Sequence, residues 1–171
     1  MALTREDDKP WKTDLARKSA QRRELVVHEV EEVIKKAASF EDALKLAAEL
    51  LKKRFARFSA VSVYVADGED LALHTSVERP AGPDRLGAGG NPLADAAHGT
   101  TVTSISNVSS SEAWTALGLT QGSVMIAPIR TEAGLWAALE IWSDFRDAFT
   151  TADVKLAEKV TLALGKKTPA A

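Results

Sequence analysis

The stretch from Val124 to Ser143, "VMIAPIRTEAGLWAALEIWS", constrains the fold of this chain more than any other segment. Two apolar runs of strand length flank a turn at Glu132-Ala133-Gly134, which predicts a β-hairpin. One face of the second strand is entirely apolar and consists of Leu135, Ala137, Leu139 and Ile141. The alternate face consists of Trp136, Ala138, Glu140 and Trp142. We therefore expect the apolar face to pack against helices and the mixed face to lie on the opposite side of the sheet.

The mixed face of this strand has two interpretations. Aromatic rings offer a ligand a large flat apolar surface, and a carboxylate between them can hold a cation or a hydrogen-bond donor. Alternatively, the tryptophans only pack beneath a loop, and Glu140 forms a salt bridge with Arg130 or Arg146.

A long helix is predicted ahead of the strands, from about Asp14 to Ala38. Small apolar side chains recur along it at spacings of four, three and four residues: Val26, Val30, Val33 and Ala37. A narrow seam of this kind is typical of a coiled coil, so we expect a homodimer built on this helix. The alternative is that the seam docks on the protein's own sheet.

Two capping boxes predict where further helices begin. Ser39 with Asp42 begins one helix, and Thr150 with Asp153 begins another. Strands are predicted at 60–66 and 71–77, with an irregular segment from about Glu78 to Gln121 before the hairpin. Helices at both ends and a mostly antiparallel sheet between them predict an α+β fold. Long irregular segments in compact domains are usually functional, so we expect this one to cover a binding surface.

Composition excludes several kinds of chemistry. The chain has no cysteine, a formal net charge of -2 and a pI near 6.0. The lack of thiols excludes disulfides, thiolate metal sites and cysteine nucleophiles, and the mild acidity gives no general attraction to nucleic acid or membranes. No apolar run is long enough to span a bilayer and no signal peptide is evident, so a cytoplasmic location is expected. No two of the three histidines, His28, His74 and His98, have metal-ligand spacing, so no metal or cofactor is predicted.

The order of these features resembles a GAF domain from about Phe40 to Gly165. The similar segments are "GSVMIAPI", the turn glycine Gly134, "AALEIWS" and the closing "FRDAFTTADVKLAEKV". The resemblance implies a central antiparallel sheet, helices on one face, and a ligand pocket on the other face beneath loops. It also implies a sensory or regulatory role, and it supports pairing through terminal helices. The domain prediction is a disordered tail over 1–13, a dimerisation helix over 14–38, a GAF-like domain over 39–166 and a tail over 167–171.

Two functional branches of the family match only in part. Free methionine sulfoxide reductases of this family use cysteines and acidic residues on the pocket strands. In this chain Glu140 matches one of these acidic positions. Trp142 and Val124 occupy the positions where a second and a third acidic residue are expected. Cyclic-nucleotide members are matched by Phe149 and Asp153, but Ser143-Asp144 and Val154 replace the other residues of that motif.

We therefore predict a non-enzymatic GAF-type module that binds a small organic ligand and signals through a partner chain. The predicted ligand contacts are Tyr64, His98, Trp114, Val124, Glu140 and Trp142, and no catalytic residue is predicted. Tyr64 and Glu140 would orient the ligand, the tryptophans would stack on it, and His98 would lie in the covering segment. The alternatives are a ligand-free dimerisation or interaction scaffold, and a degenerate protein of the methionine sulfoxide reductase type.

Overall fold

The computed structural model describes residues 10–78, 83–87, 92–116, 118 and 120–167. In chain order its elements are α1 (Pro10–Lys36), α2 (Phe40–Arg54), β1 (Ala60–Asp67), β2 (Asp70–Val77), β3 (Arg85–Leu86), α3 (Pro92–Ala97), β4 (Thr103–Ile105), a 3-10 turn (Val108–Ser110), α4 (Glu112–Thr115), β5 (Ser123–Thr131), β6 (Gly134–Ser143) and α5 (Thr151–Lys166). The predicted α+β class is confirmed. The Pro/Gly-rich segment after β2 also contains β3, a two-residue strand that the sequence did not predict.

The strands form one six-stranded antiparallel sheet in the order β3-β2-β1-β6-β5-β4. The two hairpins, β1–β2 and β5–β6, meet where β1 pairs with β6. Gly122 precedes β5 with a φ of +94°, and a Cβ there would lie 2.0 Å from the Ser143 carbonyl oxygen. Only glycine therefore allows β5 to start this close to the end of β6.

α2 and α5 cover one face of the sheet, and α1 packs on these two helices. Together they enclose what we call the helix-side core. Its main members are Val26, Val30, Ile34, Phe40, Leu44, Leu51, Val61, Val63, Met125, Ala127, Ile129, Ala137, Leu139, Ile141, Leu156, Val160 and Leu164. Ser39 and Thr150 begin helices as predicted, because their side chains accept hydrogen bonds from the backbone N–H groups of Asp42 and Asp153. Asp153 also accepts from the Thr150 N–H and so completes a capping box.

Most of the valine seam of α1 belongs to this core: Val26, Val30 and Ala37 are buried in it, whereas Val33 is partly exposed. Val26 is 2% exposed and Val30 is fully buried, and both lie in the protomer's own core. The seam is therefore not available for pairing with a second copy, and its predicted role as a coiled-coil surface is wrong. A helix seam that docks on neighbouring helices has the same spacing as one that docks on another chain, which is why periodicity could not separate the two cases.

The first half of α1 is more exposed than the second. The helix begins at Pro10, four residues before its predicted start and within the segment predicted to be a tail. Proline at a first helical position is favourable because that N–H has no helical partner. Positions 15–22 are all exposed, and Arg23 is the first buried residue of the helix among those with described side chains. Of the tails predicted over 1–13 and 167–171, residues 1–9 and 168–171 lie outside the described residues.

A buried ion pair fastens α1 to the start of α5. The Asp153 carboxylate is fully buried and accepts hydrogen bonds at 3.0 and 2.8 Å from Nε and Nη2 of Arg23. Its second oxygen accepts from the backbone N–H of Thr150 at 2.8 Å, and Arg57 lies 3.7 Å away. Asp153 therefore combines its capping role with an ion pair that joins the two terminal helices.

A β-bulge changes the side of the sheet on which one tryptophan lies. Ile129 pairs with Ala137 but Arg130 pairs with Leu135, so Trp136 is an extra residue on β6. Trp136 consequently packs on the helix-side core, edge-on to Phe40 with ring centroids 5.5 Å apart, while Leu135 contacts the opposite side. The predicted faces of these two residues are wrong, because an extra residue reverses the alternation of a strand.

Candidate functional site

The loop face of the sheet carries a row of three residues at its centre. Glu140 on β6 lies between Ser62 on β1 and Ile126 on β5. Beyond the bulge the alternation holds, so Glu140 and Trp142 lie opposite the helix layer, as the sequence predicted. Tyr64 and Val124 lie on the same face, paired with Ala138 and Trp142 respectively.

A second apolar cluster encloses this row, and we call it the loop-side cluster. It combines sheet residues with α3, the 3-10 turn and α4: Tyr64, Leu71, Leu86, Leu93, Ala94, Ala97, Val108, Trp114, Val124, Ile126 and Ala138. Leu135 and Trp142 pack at its margin. The irregular segment therefore covers the mixed face, and two short helices supply much of the cover.

The Glu140 side chain lies within this apolar surrounding and is only 1% exposed. Among the described residues, neither of its carboxylate oxygens has a hydrogen-bond partner. Burial raises the pKa of the Glu140 carboxyl from 4.5 to about 8. A carboxyl without partners in an apolar site binds its proton more tightly because desolvation disfavours the anion.

The alternative in which an arginine pairs with Glu140 does not occur. The Arg130 guanidinium donates instead to the Gly99 carbonyl oxygen, at 2.9 Å from Nε, and to the carbonyl oxygen of His98. Arg146 is exposed. Arg130 thus holds the segment that follows α3 and leaves the carboxyl of Glu140 unpaired.

The polar neighbours of Glu140 are already engaged with other groups. The Ser62 and Ser76 hydroxyls are 3.0 Å apart and bonded to each other. The Tyr64 hydroxyl donates to the Pro83 carbonyl oxygen at 2.8 Å. Burial first, and then the carboxyls of Glu140 and Asp84, raise the pKa of the Tyr64 phenol, so it stays a neutral donor. The side chains around Glu140 are therefore placed by other contacts and leave its oxygens free.

Five of the six predicted contact residues come together on this face. Tyr64, Val124 and Trp114 are buried in the loop-side cluster, and Trp142 borders it with its indole N–H donating to Asp144 Oδ1 at 3.1 Å. Ser62 is not among the contacts predicted from the sequence, although the serine between valines in "AVSVYV" indicates a polar position on the loop face of β1.

His98 does not join this group. It is exposed and follows the last residue of α3, beside a depression that also borders Ala66 and Leu135. Leu135 lies five residues before Glu140 on β6, a separation of roughly 16 Å at the usual rise of a strand. The structure therefore places His98 apart from the other five predicted contacts, and its role in covering a ligand stays a prediction. The spacing of His98 in the sequence did not reveal which end of the sheet α3 would meet.

Solved structures of known proteins share this architecture. A Burkholderia vietnamiensis protein described as a GAF sensor is 15% identical, with a TM-score of 0.79 over 87% of this chain and 94% of that one. The free methionine-R-sulfoxide reductase of Neisseria meningitidis, in complex with its substrate, is 19% identical, with a TM-score of 0.78 over 87% and 89%. The GAF domain of a Coxiella burnetii phosphoenolpyruvate-protein phosphotransferase is 16% identical, with a TM-score of 0.76 over 86% and 93%.

The chain therefore has the fold of GAF domains, as the sequence resemblance implied. No protein-family model and no curated protein sequence matches it. At these identities the likeness concerns the fold alone.

The prediction that the chain is not an enzyme is corrected by the same comparisons. Several structures with this fold are methionine-R-sulfoxide reductases, so the fold includes enzymes as well as binding domains. The absence of cysteine concerns only thiol chemistry by the chain's own side chains.

No helix within the described residues is long and apolar enough to cross a bilayer. Within the same residues, no group of three or more histidine, aspartate or glutamate side chains is arranged to hold a metal ion.

Proposed function

We propose that this chain is a sensory or regulatory module in which Glu140 anchors a small organic ligand on the loop face of the sheet. One observation carries the proposal: a carboxyl that is 1% exposed has no hydrogen-bond partner among the described residues. Leaving a buried polar group unpaired costs on the order of 1–3 kcal/mol. Proteins tolerate such a cost mainly where the group serves a function.

The carboxyl selects a ligand with a cationic or strongly donating nitrogen group. At neutral pH the raised pKa keeps most of the free carboxyl protonated. A cationic ligand would favour the ionised form of the Glu140 carboxyl, so its binding would release the proton of that carboxyl. We therefore expect its affinity to rise with pH, up to about tenfold per pH unit, until the pH reaches the pKa of about 8. Trp114 and Trp142 would supply the aromatic surface beside that group.

The test is a thermal-shift screen of small organic ammonium, guanidinium and amidinium compounds at two pH values on either side of neutrality. It compares the natural chain with Glu140→Gln, which keeps the shape of the side chain, and with the control Glu49→Gln on the exposed side of α2. A compound that stabilises the natural chain and the control but not Glu140→Gln supports the proposal. Compounds that shift all three proteins equally contradict the role of Glu140.

A second candidate, a scaffold without a ligand, is favoured by the close packing of the loop-side cluster. Tyr64, Val124 and Ile126 are each at most 1% exposed, so the side chains themselves fill this face. In that case no compound distinguishes the natural chain from Glu140→Gln, and replacement by leucine stabilises the protein without loss of any binding.

The output of the module is proposed to pass through a partner chain. A homodimer also remains a proposal, and it must use a surface other than the buried valine seam. The exposed side of α1 is the candidate surface, with Leu15 56% and Leu25 64% exposed. Light scattering at tens of micromolar protein, with Leu15→Glu as the variant, tests this arrangement: a monomeric natural chain would refute it.

A further inference from the structure

We propose that the furrow between α1 and α5 docks an acidic amphipathic helix of a partner protein. This proposal names the kind of partner that would receive the signal of the module, and its biological role rests on the proposed function. Docking itself can be measured without any ligand at Glu140, so the two proposals fail separately.

The furrow is long and narrow because the two helices that form it run side by side in the same direction. Arg23 on α1 bonds to Asp153 at the start of α5, and Lys167 just past α5 reaches the Lys35 carbonyl oxygen at 3.5 Å. Two adjoining depressions lie between these points, of about 240 and 430 Å³, and both border Lys159. From Ala20 to Lys35 the furrow spans roughly 22 Å at the helical rise, which matches about fifteen residues of a third helix.

The floor of the furrow is apolar. Ile34 is 4% exposed at its base, and Leu162 lies beside it with 63% of its surface exposed. Ala163 is partly buried between them. A leucine this exposed beside an apolar floor is the kind of surface that the apolar stripe of a docking helix covers.

The rim of the furrow is positively charged, although the chain as a whole carries a formal charge of -2. Its lysines are Lys35, Lys155, Lys159, Lys166 and Lys167. Its acidic residues are Glu24 and Glu31, and Arg23 is neutralised by Asp153. Helix dipoles favour cations only in a last turn, so they do not explain Lys155 and Lys159, which lie in the second and third turns of α5. The excess of lysine on the rim complements a partner helix that carries glutamates and aspartates on both sides of its apolar stripe.

Charge also decides against a second copy of this chain as the occupant. A two-fold contact through the furrow would place the same lysines opposite each other in the parallel arrangement. In the antiparallel arrangement the lysines at one end would meet Lys155, beside Glu24, at the other end. Like charges brought together at an interface oppose association, so an acidic partner is favoured over self-pairing.

The test uses a labelled synthetic peptide of about 18 residues, long enough to form a helix on binding. It carries leucines at i, i+3, i+4 and i+7 and glutamates on both flanks. One control peptide has lysines in place of the glutamates, and a second has the same composition in scrambled order. Fluorescence anisotropy with the full chain should show saturable binding of the acidic peptide alone, weakening as salt is raised.

The furrow variant combines Lys159→Glu with Leu162→Glu, both at exposed positions of α5. Its matched control combines Lys45→Glu with Leu46→Glu on the exposed side of α2. We expect the furrow variant to bind the acidic peptide at least about tenfold more weakly, with the control unchanged. Equal binding by both variants, equal binding of the scrambled peptide, or no binding by the natural chain would overturn the proposal. A dimer of the natural chain that only the furrow variant dissociates would also overturn it, because a second copy would then occupy the furrow.

Discussion

Ser62 and Glu140 are paired directly across β1 and β6, yet the serine hydroxyl is bonded to Ser76 Oγ at 3.0 Å and not to the carboxyl. Within the described part of the chain, the carboxyl is left without a donor, although one hydroxyl-bearing residue is its immediate cross-strand neighbour. This unpaired carboxyl is the group to which the proposed function assigns a ligand, and its burial also makes the stability of the free protein depend on pH.

The first prediction concerns this pH dependence. The folded-state pKa of Glu140, about 8, exceeds its ordinary value of 4.5, so the folded protein retains a proton that the unfolded chain releases. The stability contributed by this group is complete below pH 4.5 and is lost as the pH rises through about 8. We expect the free energy of unfolding to fall by up to about 1.4 kcal/mol per pH unit in this window. Urea denaturation across the pH range should show the fall in the natural chain and in Glu49→Gln. The same pH profile in Glu140→Gln would assign the effect to another group.

The second prediction concerns the apolar face of β6. Leu139 is fully buried beneath the helices, so Leu139→Ala should lower the free energy of unfolding by about 2–5 kcal/mol. Leu162→Ala, at a position that is 63% exposed, is the control and should change it by less than about 0.5 kcal/mol. Chemical denaturation of both variants measures the difference. Similar losses in the two would mean that Leu139 does not lie in the core.

The third prediction compares two neighbouring residues that lie on opposite sides of α1, one buried and one exposed. Val26 is 2% exposed and Leu25 is 64% exposed. Val26→Glu places a charge among apolar side chains and should unfold the protomer or cost at least about 3 kcal/mol, whereas Leu25→Glu should leave the fold intact. Circular dichroism with thermal melting distinguishes them. A folded Val26→Glu monomer derived from a dimeric natural chain would restore the seam as a subunit interface.

The fourth prediction concerns the ion pair between the terminal helices. Asp153→Ala removes a fully buried carboxylate and leaves Arg23, whose side chain is 11% exposed, without its partner. We expect a loss of about 3–5 kcal/mol in the free energy of unfolding. Asp14→Ala breaks two exposed ion pairs, with Arg17 and Lys18, and should cost at most about 1 kcal/mol. Equal small losses in urea titrations would show that the buried pair is dispensable.

The sequence by itself determined the features that depend on neighbouring residues in the chain. The capping residues Ser39 and Thr150 begin helices as predicted, because an N-cap needs only a side-chain oxygen and the next turn of backbone. The alternation of strands placed Leu139 and Ile141 in the core and Glu140 on the loop face, because side chains of a strand point to opposite sides with a period of two.

Tertiary structure decided the features that depend on what approaches from elsewhere. Trp136 lies on the helix side because a bulge opposite Ile129 shifts β6 by one residue and Phe40 of α2 receives the ring. The valine seam of α1 lies in the protomer's core because α2 and α5 of the same chain pack against it. The spacing of the valines would be the same for a seam that packs on helices of a second chain. Glu140 has no salt bridge with Arg130, whose guanidinium donates to the carbonyl oxygens of His98 and Gly99 after α3. No spacing in the sequence encodes that contact, since it joins residues about thirty positions apart through the packing of the whole sheet.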